Sequence, residues 1–265
     1  MIITDENYYS EKANQEYMSV SQLKSWIDCP AKAKASLDGE YKMPSKTPLL
    51  VGGYVDAWAE GTLDKYKELH PEIFKKDGSL KADYVKADSI IERIKSDDVF
   101  CHYVLDGEKQ VIETAEFFGC KWKIKMDNLR DDCIVDLKCM KDMQRVYGRS
   151  FIEYYHYDWQ LAVYQYVHYL NTGKKLPCYL AVVTKEEPSN IEIINVPQWR
   201  LDECLNEIQV EMPRVLDMKN GQAEIKGCGT CDYCRGIKKC GEPIDFQLVG
   251  MTNYEIEMAK AQGLC

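Results

Sequence analysis

The chain has 265 residues, 45% of them hydrophobic, and a formal net charge of −9. That is enough apolar material for one elaborated domain over residues 1–265. No apolar run is long enough to cross a bilayer and the opening MIITDENYYSEK is too polar for a signal peptide, so the expectation is a cytoplasmic protein without a membrane partner. The acidic balance argues against a broad, non-specific phosphate-binding surface but leaves room for local basic segments, notably Lys121–Lys125 and Lys138–Arg149.

From the N-terminus, Ser19-Val20-Ser21 predicts a helix start, with Leu23, Trp26 and Ile27 as its apolar stripe and Pro30, in Asp28-Cys29-Pro30, as its end. A second helix is expected over about 49–62, where four-residue spacing puts Gly52, Asp56 and Glu60 on one face. A glycine there lets another backbone or a ligand come close. Residues 64–109 read as mostly helical and charged, with turns at Asp77-Gly78 and Asp106-Gly107 and no evident chemistry.

Gln110–Phe118 reads as a strand leading into the most informative stretch, KWKIKMDNLRDDCIVDLKC at residues 121–139. A period of two puts Lys121, Lys123, Lys125 and Asp127 on one strand face, with Trp122, Ile124 and Met126 on the other. After a polar turn at 128–132, the chain returns over 133–139 with Val135 and Leu137 on one face and Asp136 and Lys138 on the other. Two carboxylates and an ammonium can then converge. Oxygen ligands from two strands suit Mg²⁺ or Mn²⁺, and a lysine beside them can orient a water or stabilise charge developing on a phosphate. Taken alone, the D-x-K triplet fits a solvated sheet edge better; it is the company of other motifs that gives it weight.

Phe151–Leu170 predicts one long aromatic helix in which Gln160 and Tyr164 project from one side and Trp159, Val163 and Tyr166 face the core. His156 and His168 on it read as packed or surface residues. Cys178–Thr184 and Ile191–Val196 follow as strands joined by a turn at 186–190, and Gln198–Lys219 as a helix interrupted near Pro213. The element order gives an α/β (α+β) fold with a central mixed sheet flanked by helices.

The twelve cysteines divide into scattered thiols, read as small apolar residues, and the cluster CGTCDYCRGIKKC, in which Cys228, Cys231, Cys234 and Cys240 fall within thirteen residues. That density suits thiolate ligation. Two ligand sets are open: a structural Zn²⁺ on the four local thiols, or an iron–sulfur cluster on Cys231, Cys234, Cys240 and the remote Cys29, with Cys228 spare.

Taken together, these motifs resemble the RecB-like branch of the PD-(D/E)xK nuclease superfamily, which includes phage-type RecE-like exonucleases, AddB nuclease domains and CRISPR-associated adaptation nucleases, over roughly residues 18–240. Ser19 to Leu23 with Cys29-Pro30 is similar to that family's opening helix and cysteine. Gly52-x3-Asp56-x3-Glu60 is similar to its G-x3-H-x3-E helix, with Asp in place of His. Asp127 and Asp136-Leu137-Lys138 stand for its PD and D-x-K elements, Gln160-x3-Tyr164 for its Q-x3-Y helix, and Cys231-x2-Cys234-x5-Cys240 for the cysteines of its iron–sulfur members.

The resemblance implies a restriction-endonuclease-like core at about 47–215 with a cysteine-stapled C-terminal segment and a 4Fe–4S cluster. It implies Asp56, Asp127 and Asp136 as ligands of Mg²⁺ or Mn²⁺, Lys138 near the attacking water, and Gln160 and Tyr164 on the DNA backbone. Aspartate at position 56 favours hard cations. The implied activity is a metal-dependent deoxyribonuclease, an exonuclease of phage or mobile-element recombination or repair, with a recombination protein or a second copy of the chain as partner. Two further readings stay open: a non-catalytic DNA-binding or scaffold protein, which the acidic charge supports, and a nuclease that cuts RNA or internal DNA sites.

Overall fold

A computed structural model describes residues 1–42, 47–241, 243 and 245–261. Its first half holds α1 (Glu11–Glu16), β1 (Tyr17–Met18), α2 (Val20–Asp28), α3 (Pro30–Leu37), α4 (Thr47–Ala59), α5 (Leu63–Leu69), α6 (Ala82–Lys95), α7 (Asp98–Leu105), β2 (Glu108–Phe117) and β3 (Cys120–Leu129). Then follow β4 (Ile134–Met140), α8 (Phe151–Tyr154), α9 (Tyr157–Thr172), β5 (Cys178–Thr184), β6 (Ile191–Val196), α10 (Gln198–Lys219), α11 (Asp232–Ile237) and α12 (Asn253–Ala261). The fold is mixed α/β, and the chain divides into two compact units, Met1–Met43 with Glu116–Trp122 and Gln209–Cys265, and Pro44–Ala115 with Lys123–Ile208. No helix among the described residues is long and apolar enough to cross a membrane.

In the larger unit the strands run in the order β3-β4-β5-β6, with β2 beside β3. The β3–β4 and β5–β6 pairs are antiparallel and β4–β5 is parallel, so the sheet is mixed. Strand alternation then sorts the side chains. Val135 and Leu137 of β4, with Ala181 and Val183 of β5, join one apolar core with Val51, Tyr54 and Val55 of α4, Ile90 and Ile94 of α6, and Phe100 and Val104 of α7. Asp136 and Lys138 consequently fall on the opposite face, where α9 packs and the Cys178 thiol reaches the Leu161 carbonyl.

In the smaller unit β1 pairs in parallel with the first residues of β3, Tyr17 opposite Lys121 and Met18 opposite Trp122. Ser19 caps α2 by accepting from the Gln22 amide at 3.3 Å. Trp26, Trp122 and Met212 are buried, and the Lys219 ammonium donates to the carbonyls of Asn14 and Tyr17.

Four expectations change. Pro30 does not end a helix but begins one: α2 stops at Asp28, Cys29 is extended, and Pro30 takes the first position of α3, where its missing N–H costs nothing. Lys123 is 1% exposed, so Lys121–Lys125 is not an open basic face; Trp122, Lys123 and Ile124 are all buried because both faces of β3 are covered. The aromatic helix is broken into α8 and α9. His156 adopts a left-handed φ of 52°, and the wholly buried Asp158, ion-paired with Arg200 at 2.7 Å, fixes where α9 starts. Finally, α10 runs unbroken through Pro213, held on either side by buried Met212 and Val215.

The predicted turn at Asp106-Gly107 carries a steric constraint. Gly107 has φ of 107°, and a Cβ there would lie 2.5 Å from the Leu129 carbonyl oxygen. Gly107→Ala should lower stability by about 2 kcal/mol or more in urea denaturation, whereas Gly78→Ala, at φ 82° in open space, should cost clearly less. Equal losses would show that the close approach to Leu129 is not real.

Candidate active site and thiol cluster

The candidate residues of the larger unit converge on β4. Asp136 is wholly buried. Its Oδ1 accepts from Gln160 Nε2 at 2.8 Å, and its Oδ2 is ion-paired with the ammonium of Lys138. Gln160 Nε2 also donates to the Tyr164 hydroxyl at 2.8 Å, so the D-x-K strand and the Q-x3-Y face form one bonded cluster. One turn before Gln160, Tyr157 places its ring 5.3 Å from Lys138 Nζ.

Asp127 of β3 accepts from the Leu137 amide through Oδ2 at 3.0 Å, and Gln110 Nε2 approaches its Oδ1 at 3.5 Å. Burial pushes its carboxyl well above the ordinary carboxylate range. The charge of Asp136 adds to this, and Lys138 opposes it. Asp56 of α4 is pushed up to about 7, by burial first and then by Asp136 and Glu60, against the opposing charges of Lys138 and Lys185. For Lys138, burial works against the charged form, but Asp136, Asp127 and Asp56 more than offset it and raise its pKa above the ordinary lysine value. The ammonium therefore stays charged.

A small cavity of about 10 Å³, room for about one water, lies beside these groups, its polar wall made by Asp56, Glu60, Lys109, Gln110, Asp127 and Asn128. Asp136 and Lys138 are not part of that wall. Gly52, one turn before Asp56, borders open space, where a Cβ would meet nothing within 4 Å. Lys109, donating to the Val104 carbonyl and to Asn128 Oδ1, is pushed down to about 8 by burial. Tyr157, Lys109 and Gln110 escaped the sequence reading. Tyr157 lies three residues before Gln160 and so on its helix face, a usable signal, but nothing in the local pattern marks Lys109 or Gln110. His168 takes no part: it is buried and its Nδ1 is hydrogen-bonded to Glu113 Oε1 at 2.8 Å.

The donor set fits a hard divalent cation. Asp136, Asp127 and Asp56 lie within charge range of one another, Lys138 touches Asp136, and the carboxyls of Asp127 and Asp56 are held above their normal range, by desolvation first and by nearby negative charge second. The fit is loose in distance. Among the described residues, the group whose candidate ligand atoms all lie within 4.8 Å of one another is made of thiols, whereas the three carboxylates couple through charge.

That thiol group lies in the smaller unit and comprises Cys29, Cys228, Cys231 and Cys234. The sulfurs of Cys29 and Cys234 are 3.6 Å apart, Cys231 and Cys29 3.7 Å, and Cys228 and Cys234 4.0 Å. Neither expected ligand set is the one assembled. Cys228 joins the remote Cys29, while Cys240 is exposed and stands outside the group, beyond the end of α11. Cys228 Sγ accepts from the Cys231 amide at 3.3 Å and from Thr230 Oγ1 at 3.6 Å. Burial raises the Cys228 thiol, but these donors outweigh it and bring the group down to about 6, while burial pushes Cys29 up to about 12.

Residues 19–237 match the model of a family described as a PDDEXK-like domain of unknown function. The crystal structure of a "Putative exonuclease" from Eubacterium rectale is 42% identical, covers 94% of this chain and 99% of its own, and superposes with a TM-score of 0.88. A second solved structure, SSO0001, is 16% identical over 77% of this chain and 90% of its own, with a TM-score of 0.30 that is too low to bear on the fold. No curated protein matches.

The Asp56 carboxyl sets a pH dependence. Between about pH 4, its unfolded value, and about pH 7, the folded chain keeps a proton that the unfolded chain has lost, so this group's share of stability falls as pH rises through that window and levels off above it. A cation competes with that proton. Added Mg²⁺ should therefore raise Tm more at pH 8 than at pH 5.5, and Asp56→Asn should flatten the difference. An equal Tm shift at both pH values in the parent protein would contradict a carboxylate cage.

Proposed function

The chain belongs to the family of PDDEXK-like domains, and on that premise we propose that it is a divalent-metal-dependent nuclease that hydrolyses DNA phosphodiesters, working as an exonuclease. The observation that carries the reading is the buried Asp136, held between Lys138 and Gln160 within charge range of Asp127 and Asp56. The description of the Eubacterium rectale protein, so similar over nearly its whole length, supports the exonuclease assignment.

In this reading Asp56, Asp127 and Asp136 hold Mg²⁺ or Mn²⁺. Such a cation, when bound, supplies a Lewis acid for the phosphate and lowers the pKa of an attacking water. The chain's own part is electrostatic. Lys138, ion-paired with Asp136, would serve as a positive charge for the charge developing on the phosphate. Gln160 fixes Asp136 through one oxygen, and Tyr164, bonded to the same amide, steadies Gln160 toward the DNA backbone.

The thiol group reads best as a structural zinc site. A tetrahedron of thiolates with bonds of about 2.3 Å has sulfur–sulfur edges of about 3.8 Å, which the separations of 3.6, 3.7 and 4.0 Å bracket. A 4Fe–4S cluster places a separate iron inside each thiolate and holds the sulfurs farther apart.

Asp136→Ala and Lys138→Ala should each lower kcat by roughly 10²–10³ or more on linear DNA with Mg²⁺ or Mn²⁺, with little change in KM. Closed circular DNA should resist the parent enzyme. Cleavage that survives Asp136→Ala would place the chemistry elsewhere, and circular DNA or RNA cut as readily as linear DNA would exchange the exonuclease for the endonuclease or ribonuclease reading. For the thiols, elemental analysis of protein purified without air should find one zinc per chain, lost in Cys228→Ser and kept in Cys240→Ser. A brown, iron-containing protein that loses its colour in Cys240→Ser would reverse the assignment.

A further inference from the structure

The link from β4 to α8 carries a feature that the hydrolytic site does not use. Val146 and Arg149 exchange amide-to-carbonyl bonds, both 3.0 Å, and close a two-residue turn of Tyr147 and Gly148. Both lie at positive φ, 48° and 79°. Turns of this kind are made at least cost by Asn-Gly or Gly-Gly, and a bulky aromatic at the first position is strained. Burial does not offset that strain, because Tyr147 is 89% exposed. Phe118, in the matching place of the β2–β3 turn, at least packs its ring edge-on against Phe117 at 5.0 Å and is partly covered.

From Tyr147 a file of aromatic rings leads inward. Its ring centroid lies 5.9 Å from that of Tyr154, Tyr154 lies 5.0 Å from Tyr155, and Tyr155 lies 5.7 Å from Tyr157. Tyr157 is the ring beside the Lys138 ammonium. Exposure falls along the file, from 89% at Tyr147 to 38% and 43% at Tyr154 and Tyr155 and to a partly buried Tyr157. Exposed cations accompany the tip, Arg145 just before the turn, Arg149 at its close and Lys141 at its root. Arg145 Nε also braces the tip by donating to the Gly148 carbonyl at 3.0 Å.

We propose that Tyr147, Tyr154 and Tyr155 form a stacking track for single-stranded nucleic acid, with Arg145 and Arg149 on its phosphates, leading the strand toward Lys138. The occupant follows from the chemistry. An exposed tyrosine ring flanked by guanidinium groups matches a polymer that alternates π-faces with phosphates. Only unpaired or terminal bases offer a free face, since those inside a duplex are stacked on both sides. The proposal rests on the nuclease reading for what happens at the inner end of the track, and it adds the substrate class: strands with single-stranded ends.

The test reads binding apart from cleavage. Full-length protein without added divalent cation is titrated into labelled oligothymidylate and into a labelled blunt hairpin duplex, and anisotropy is followed. Tyr147→Ala should weaken oligothymidylate binding about tenfold, Tyr147→Phe should bind like the parent, and the duplex should bind more weakly than the single strand. The track is overturned if Tyr147→Ala binds as the parent does, if Tyr147→Phe is as weak as Tyr147→Ala, or if the substitution alters only the sedimentation of the protein, which would assign the rings to contact between copies of the chain. A protein that binds through Tyr147 yet cuts nothing keeps the track and loses the nuclease reading. A protein that cuts DNA with binding indifferent to Tyr147 loses the track and keeps the nuclease.

Discussion

The larger unit is organised around an excess of buried negative charge. Asp136 is fully withdrawn from water on a central strand, its charge helps raise the carboxyls of both Asp127 and Asp56, Asp56 adds to the rise at Asp127, and Lys138 is ion-paired with Asp136. Burying a carboxylate is expensive unless a counter-charge and hydrogen bonds meet it. Asp136 has both, from Lys138 and Gln160, whereas Asp56 has neither in full and answers by holding its proton to about pH 7. A site with this imbalance is short of positive charge, and a divalent cation is the simplest species that supplies it.

The surrounding fold is what places these groups. Strand β4 runs between β3 and β5, so its alternation sends Val135 and Leu137 into the core shared with α4, α6 and α7 while Asp136 and Lys138 turn toward α9. The break at His156 gives α9 its own start, which brings Tyr157 over Lys138 and Gln160 onto Asp136. The thiol group of the smaller unit is built by another device. Backbone amides of residues 228, 231 and 234 point at sulfur, an arrangement that favours thiolates and prepares them for a metal.

Much of this was legible in the residues because periodicity carries it. Alternation over 121–139 and the four-residue spacing of Gln160 and Tyr164 forecast which side chains share a face, and β5 and β6 fall on their expected bounds. What escaped depends on tertiary context. Nothing in the alternation says that Lys123 is covered on its polar face, and the start of α9 is set by Asp158 and Arg200, 42 residues apart. Pro213 signals a break by its chemistry, yet burial on both sides carries α10 through it. Among the cysteines, spacing marked the cluster but not its membership, because the turn of α11 decides that Cys228 faces Cys234 and Cys240 is carried past.

The account stands on the three carboxylates acting together on one cation. Anomalous scattering from a crystal soaked in Mn²⁺ tests this most directly. The account predicts a manganese peak bounded by the side chains of Asp56, Asp127 and Asp136, with the Lys138 ammonium drawn off Asp136. A soaked crystal with no peak there, or with manganese only at surface carboxylates, would contradict it.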